Sequence, residues 1–173
     1  MRMKESTEFH SVFDSVFDAE FSYVCRVLQR LGVPHADVED VAQEVFVTVH
    51  AKFGEYDRTK PVRPWLFAFA YRSASNYHRV AHRRESREQV SEAPPPTTPE
   101  EGALDRQAQA LVLAALQQIP LERRCVLIMH DIDGFSAPEI GETLSIPTNT
   151  VYSRVRIARE EFKKAIQREE RRR

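Results

Sequence analysis

Apolar residues recur at helical spacing along most of the chain, whereas no alternating pattern lasts long enough to predict a strand. One such stripe predicts a long amphipathic helix that ends at Gly32 and Pro34. The residues that mark it are Phe9, Val12, Phe13, Val16, Phe17, Phe21, Val24, Cys25 and Leu28. Two further helices are predicted over residues 37–53 and 64–84. The N-terminal half is therefore predicted to be a small helical bundle.

Residues 86–105 interrupt this pattern with four prolines, few large apolar residues and an excess of acidic ones. Neither a helix nor a strand is expected to run through such a stretch. We therefore predict a linker at 86–105 that joins two domains, 1–85 and 106–173.

The second of these domains contains the pattern of a helix-turn-helix. Two helices are predicted over 111–119 and 121–130, and Ser136 with Glu139 then fits a capping box that opens a short helix. After an interruption at 145–147 another helix follows, with an inward stripe of Val151, Val155, Ala158 and Phe162. A short helix, a tight turn and a second helix form a unit that places its second helix in the DNA major groove.

The outward face of that second helix is polar and basic, which suits contacts with DNA. Arginine can form two hydrogen bonds with guanine and also binds phosphates. Hydroxyl side chains can hydrogen-bond either to bases or to the DNA backbone. The candidates for these contacts are Tyr152, Ser153, Arg154, Arg156 and Arg159.

The net charge of −1 conceals a strong segregation of charge along the chain. Residues 58–85 carry a net +6 and residues 148–173 a net +5, whereas residues 1–57 carry −6. Two basic blocks separated by acidic ones indicate two separate contacts with a polyanion. Charge alone also leaves open a pair of solvated helix faces.

Several other classes of protein are excluded by composition. No apolar run reaches the roughly 18 to 20 residues of a membrane span, and the N-terminal sequence lacks the apolar stretch of a secretory signal, so we expect a cytoplasmic protein with no membrane contact of its own. The only cysteines, Cys25 and Cys125, exclude a disulfide framework and a four-cysteine zinc module. With no phosphate-binding glycine loop and no Ser/His/Asp set, we predict neither a cofactor nor an enzyme.

One pair of histidines has the spacing of metal ligands. His78 and His82 are four residues apart on a predicted helix, but neither the metalloprotease glutamate nor a third ligand accompanies them. We therefore predict no metal site and a phosphate-facing role for this segment. A metal-dependent enzyme built on this pair is the alternative, which elemental analysis would decide.

Three segments together carry a family resemblance: DVEDVAQEVFVTVHAKF at 37–53, RPWLFAFAYRSASNYHRVAHRR at 63–84, and LQQIPLERRCVLIMHDIDGFSAPEIGETLSIPTNTVYSRVRIARE at 116–160. In this order, with a proline-rich linker between the last two, they resemble a bacterial sigma factor of the extracytoplasmic-function (ECF) group, the smallest sigma-70 relatives. The resemblance covers residues 9–166. It implies an all-α fold of two small helical domains joined by a proline-rich acidic linker, with the helix-turn-helix in the second. It also implies a protein that binds core RNA polymerase and directs promoter recognition, DNA melting and transcription initiation at a specific regulon.

The resemblance assigns roles to particular residues of the first domain. The acidic face of the second helix would bind the clamp helices of the polymerase β′ subunit, through Asp40, Gln43 and Glu44. The third helix would recognise and melt the −10 promoter element, through Trp65, Asn76, Arg79 and Arg83. Unpaired bases need a stacking surface and their backbone needs cations, which this helix supplies. Trp65 is ambiguous, because its inward position in the helical period favours core packing.

For the rest of the chain the resemblance implies three further contacts. The second domain would bind the polymerase β flap and read the −35 promoter element with the candidates on its second helix. The acidic linker would run through the polymerase toward its active-site and RNA-exit channels. An anti-sigma protein is the further partner expected.

The sequence departs from the family pattern at several positions. Ser145 and Asn149 replace frequent glycines, and Tyr152 and Ile157 replace frequent basic residues. Arg72 replaces a frequent asparagine in the third helix. The promoter sequence therefore does not follow from relatives. The alternative function is a free-standing helix-turn-helix regulator whose first domain senses a ligand or forms a dimer.

Overall fold

A computed structural model describes residues 2–85 and 103–172, with side chains described at 11–83 and 106–172. Within these residues all regular structure is helical, which confirms the predicted all-α fold. The greater part of the predicted linker, residues 86–102, lies outside the described residues.

The N-terminal half consists of helices α1 (Arg2–Leu31), α2 (His35–Lys52) and α3 (Val62–Glu85), with a 3₁₀ turn at Phe53–Glu55 between the last two. Helices α2 and α3 each begin two residues earlier than predicted. Pro34, immediately before α2, has φ −57° and ψ 143°, an extended backbone that leads directly into the helix. Pro64 lies in the first turn of α3. Proline is tolerated there because a backbone N–H in the first turn would have no partner within the helix.

Aromatic rings of α1 pack against those of α2 and of the 3₁₀ turn that follows it. The ring centroids of Phe17 and Phe46 are 4.8 Å apart and edge to face, and Phe13 contacts Phe53 in the same manner at 5.4 Å. Such pairs contribute about 0.5–1.5 kcal/mol each beyond the area that they bury. The inward stripes predicted for the first two helices therefore form one core.

The C-terminal half consists of α4 (Ala103–Gln117), α5 (Leu121–Leu127), a π-helical turn (Ile128–Ile132), α6 (Ala137–Leu144) and α7 (Thr148–Arg172). Helix α4 begins at Ala103, two residues before the predicted end of the linker at residue 105.

The predicted helix over 121–130 is α-helical only as far as Leu127. Beyond it, the backbone N–H of Asp133 donates to the carbonyl of Ile128 at 2.9 Å, which is the wider spacing of a π turn. Such turns are often found at functional sites in helices. Asp133 and its neighbour Asp131 both make long-range side-chain contacts, as described below.

The helix-turn-helix forms as its local sequence predicts. Ser136 caps α6: its hydroxyl accepts from the N–H of Glu139, whose carboxylate in turn accepts from the Ser136 N–H at 2.8 Å. Ser145 ends α6 in the left-handed conformation, with φ 55°. At Gly141 a Cβ atom would lie 2.8 Å from the Ile146 carbonyl, so glycine lets the turn pack closely on α6. Asn149, by contrast, is helical.

The two halves pack against each other. Helix α6 lies on α3, while α1 contacts α4 and α5. Apolar residues of both halves belong to one continuous core. Several long-range hydrogen bonds cross this contact, which we call the interdomain contact.

Candidate nucleic-acid and protein-binding surfaces

The residues predicted to read DNA lie on the first three turns of α7, and we call them the recognition face. Tyr152 and Ser153 are exposed, and Tyr152 retains 57% of its accessible surface. The inward stripe of Val151, Val155 and Ala158 is buried. Burial on one side thus leaves the polar side of the helix facing outward, as the period of 3.6 predicts.

Each arginine of the recognition face has an acidic partner within its own half of the chain. Arg154 lies 3.5 Å from Glu122, and Arg156 lies 3.3 Å from Glu160. Exposed ion pairs of this kind contribute roughly 0.2–1 kcal/mol. They are weak enough for a phosphate or a base edge to replace them.

Arg159 is held more firmly. Its Nε and Nη2 donate to the carboxylate of Asp131 at 2.8 and 2.6 Å, in a two-pronged pair. These bonds hold the pKa of Asp131 below its ordinary value. Only Nη1 of Arg159 lies outside this pair. Sequence reasoning missed this pair, because Asp131 is 28 residues away and no local pattern signals the contact.

Helix α3 presents a face on which aromatic residues give way to basic ones. At 100° per residue its positions 65, 69, 72, 76, 79 and 83 fall within about 80° of one another. Arg79 and Arg83 are exposed, and Arg79 donates to the Oδ1 of Asn76 at 2.7 Å. We call Asn76, Arg79 and Arg83 the basic strip.

Trp65 occupies the aromatic end of the same face. Its ring is half-buried, with centroids 4.9 Å from both Tyr56 and Phe69. Next along the helix, the guanidinium of Arg72 lies over the Phe69 ring at 5.8 Å. Trp65 is therefore packed into the protein on one side and borders the basic strip only through Phe69 and Arg72.

The third surface lies on α2. Asp40, Gln43 and Glu44 are all exposed on its outer side, and we call them the acidic face. Beside them Val47 is 72% exposed, although most apolar side chains of this helix are buried. The sequence analysis did not identify Val47 as a surface residue, although its position outside the buried apolar stripe of α2 indicates exposure.

Next to the acidic face, a groove of about 400 Å³ lies between α1 and α2. It is lined by Phe13, Phe17, Gln43, Phe46, Val47 and His50. Gln43 belongs to both the groove and the acidic face. The two features form one amphipathic surface with carboxylates at its edge, which suits a partner helix with apolar and basic residues.

The two histidines with metal-ligand spacing do not converge on a metal site. The Nε2 of His78 lies 2.9 Å from the carbonyl oxygen of Leu31, at the end of α1. Among the described residues, no group of three or more His, Cys, Asp or Glu is arranged to hold a metal ion. None of the helices in those residues contains an apolar stretch that could span a bilayer.

Comparison with known families matches both halves of the chain. The model described as Sigma-70 region 2 matches residues 16–84, and the model described as Sigma-70, region 4 matches residues 109–162. The chain belongs to the sigma-70 family. The predicted resemblance is confirmed, since relatives named ECF sigma factors place this sigma factor in the extracytoplasmic-function group. It directs transcription initiation, and the matches do not favour a free-standing regulator.

Two curated relatives illustrate the similarity. The ECF RNA polymerase sigma-E factor of Escherichia coli K12 is 27% identical over 146 residues, which cover 78% of this chain and 76% of the relative. The RNA polymerase sigma-H factor of Pseudomonas aeruginosa is 28% identical over 142 residues, 76% of this chain and 74% of the relative.

Two solved structures share the fold. One is the sigma factor RpoE in complex with the anti-sigma factor NepR from Bartonella quintana, with a TM-score of 0.75 and 20% identity over 90% of this chain and 96% of that one. The other is CnrH in complex with the cytosolic domain of CnrY, with a TM-score of 0.68 and 21% identity over 91% and 89% of the two chains. At these identities the likeness concerns the fold.

Proposed function

We propose that this sigma factor divides its work among the three surfaces described above. The acidic face of α2 binds the β′ clamp helices of core RNA polymerase, the basic strip of α3 acts on the −10 element, and the recognition face of α7 reads the −35 element. The observation that carries this proposal is the α3 face, on which the half-buried Trp65 leads along the helix to the exposed cations of Arg79 and Arg83. Single-stranded DNA needs both features side by side.

Polymerase binding extends beyond the three polar residues of the acidic face. The groove beside Gln43 and the exposed Val47 supply apolar area that a charged face alone lacks. Apolar burial provides affinity, while the carboxylates at the rim set orientation and the association rate. In this division of roles, the domain of residues 106–173 contacts the flap of the polymerase β subunit. The linker of residues 86–105 runs toward the active-site and RNA-exit channels of the polymerase.

On α3, Arg79 and Arg83 neutralise the backbone of the opened strand, and Asn76 holds the Arg79 guanidinium in place through its 2.7 Å bond. Trp65 contributes chiefly by supporting this face, because its ring is packed between Tyr56 and Phe69.

On α7, the more exposed residues carry base readout. Tyr152, Ser153 and Arg156 point outward at the start of the helix, where groove contacts are made. Arg154 joins them after releasing Glu122. Arg159, held by Asp131 through two of its nitrogens, contributes a phosphate contact through Nη1.

Membership of the family supports three more general features of the proposal. The chain acts as a non-enzymatic factor, and the chemistry of RNA synthesis belongs to the polymerase. It works in the cytoplasm, where promoter DNA is found. An anti-sigma protein is a further partner, since both structural relatives are described with a bound partner and one of these is named an anti-sigma factor.

The test of this division compares Arg156→Ala with Arg79→Ala in promoter complexes. Arg156→Ala is expected to cost about 1–3 kcal/mol in binding at promoters with an intact −35 sequence, and little where that sequence is altered. Arg79→Ala is expected to preserve the closed complex and to reduce strand opening, measured by permanganate reactivity of unpaired thymines. Equal losses at both stages from both variants would refute the division.

A further inference from the structure

Asp131 lies on the π-helical turn, and the surrounding packing fixes the backbone there. The preceding Ile128 and Met129 are fully buried. On the other side, the carboxylate of Asp133 accepts a hydrogen bond from the hydroxyl of Tyr23 at 2.7 Å. The Asp131 side chain therefore extends from a backbone that is held on both sides.

The carboxylate of Asp131 fixes the direction of the Arg159 guanidinium. Its Oδ1 accepts from Nη2 at 2.6 Å and its Oδ2 accepts from Nε at 2.8 Å. The Nδ1 of His130 lies 2.7 Å from the same Oδ1, so the carboxylate has a second partner. Two parallel bonds between planar groups fix orientation as well as position. Because the Arg159 side chain remains 55% exposed, it is ordered in the free protein and still accessible to a ligand.

Arg156 of the recognition face is held in a different way. It makes a single bond of 3.3 Å to Glu160, and both side chains are mostly exposed. Such a pair leaves both side chains much of their freedom. An arginine loses side-chain freedom when it binds DNA, and this loss is smaller for one that is already held, as Arg159 is.

Arg159 shares one side of α7 with two residues proposed to read bases. At 100° per residue, Tyr152, Arg156 and Arg159 fall within about 60° of one another, and Arg159 lies about 10 Å along the axis from Tyr152. A phosphate contact carries no sequence information itself, but it fixes the register and orientation of a protein on the duplex. A phosphate bound by an immobile Arg159 therefore determines which base edges Tyr152 and Arg156 reach.

We propose that Asp131 is a positioning residue for promoter recognition: it holds Arg159 as a fixed contact to one DNA phosphate, and this contact sets the register in which α7 reads the −35 element. This role rests on the proposed function of α7. The negative charge of Asp131 near the DNA also weakens the attraction to any duplex. Asp131 thus lowers general affinity for DNA while it raises discrimination between sequences.

The test uses Asp131→Asn in the full-length chain. Asparagine keeps the size of the side chain, but its amide nitrogen is a donor that faces the donors of Arg159, so the two-pronged pair cannot form. The chain alone should bind a duplex without promoter sequence about twofold to threefold more tightly at low salt, because one repelling charge is lost. A fluorescence anisotropy titration measures this affinity.

The second measurement uses holoenzyme assembled from core polymerase and the same variant. It compares the affinity for a promoter mapped with this holoenzyme with the affinity for the same promoter carrying an altered −35 sequence. Asp131→Asn should lower this ratio of affinities about fivefold, because the register of α7 is no longer fixed. A merely structural role does not predict tighter general binding together with weaker discrimination.

The matched control is Glu160→Gln, which removes the same charge from the exposed pair with Arg156. It should tighten binding to the non-promoter duplex to a similar extent, while the ratio of affinities stays within about twofold of that of the unmodified protein.

Arg159→Ala tests the route through the arginine. It should lower the ratio by a factor similar to that of Asp131→Asn. It should also reduce the slope of log affinity against log salt by about 1, as the loss of one phosphate contact requires. Added to Arg159→Ala, Asp131→Asn should change the ratio by less than about twofold, because its partner is absent.

Three results would each overturn the positioning role: a ratio that Asp131→Asn leaves unchanged, an undiminished loss from Asp131→Asn in the Arg159→Ala background, or an equal loss from Glu160→Gln. Affinity for core polymerase should be the same in every variant, and a loss there would assign Asp131 to folding instead. If holoenzyme with the unmodified chain does not distinguish the two promoters, the proposed function of α7 fails and this role fails with it. Discrimination that survives Asp131→Asn overturns the positioning role alone.

Discussion

Reversal of one charge on the acidic face should separate polymerase binding from folding. Asp40 is exposed on α2 and is part of no ion pair found among the described residues, so Asp40→Lys leaves the interior unchanged. A rim carboxylate facing a cation contributes about 1 kcal/mol, and reversal replaces that attraction with a repulsion of similar size. The expected loss is about 2 kcal/mol, or roughly 30-fold in affinity for core polymerase.

The matched control is Glu39→Lys, the same change one residue earlier on the same helix. Residue 39 lies 100° around α2 from residue 40, away from the centre of the acidic face. Competition against a fluorescently labelled chain, followed by anisotropy at two salt concentrations, gives both affinities. The difference between the variants should shrink at high salt, since the Debye length falls from about 10 Å at 0.1 M to about 3 Å at 1 M. An affinity within twofold of the unmodified protein, or an equal loss from Glu39→Lys, would refute the assignment of this face.

Three other predictions concern DNA binding and the helix-turn-helix. The free chain should bind duplex DNA weakly in a gel-shift or anisotropy assay, because each arginine of its recognition face is already paired with a carboxylate. Tight sequence-specific binding by the chain alone would favour a free-standing regulator. Ser145→Gly should stabilise the protein by about 0.5–1 kcal/mol in urea unfolding, since glycine adopts the left-handed backbone at φ 55° without strain; an unchanged or lower midpoint would contradict this. The hydrogen bonds from Ser136 hold the pKa of Glu139 below 4.5. The contribution of the cap to the free energy of unfolding should therefore be present above about pH 4.5 and be lost as the pH falls through the lowered pKa. Glu139→Gln should remove this part of the pH dependence of unfolding.

Features set by neighbouring residues could be predicted from the sequence. The capping box of Ser136 and Glu139 depends on four consecutive residues, and the left-handed backbone at Ser145 lies at a position where the family frequently has glycine. The exposed positions of Asp40 and Arg156 follow from helical periodicity alone. Each of these contacts involves residues close together in the chain.

Features set by contacts between distant residues could not be predicted. Arg124 looks like an ordinary surface residue of an amphipathic helix, and its burial depends on the carbonyl of Leu31, 93 residues away. The pairing of Arg159 with Asp131 likewise depends on how α7 packs against the π-helical turn. No periodicity or local motif encodes such pairs, because tertiary packing alone brings them together.

The most direct test of the central claim is transcription in vitro by purified core polymerase on genomic DNA of the source organism, with and without this protein. If the chain is a sigma factor, a discrete set of RNA 5′ ends appears only when it is added, and those start sites share conserved sequence near −10 and −35. Asp40→Lys should reduce the yield at all of these sites together. A profile of 5′ ends that does not change on addition of the protein would contradict the claim.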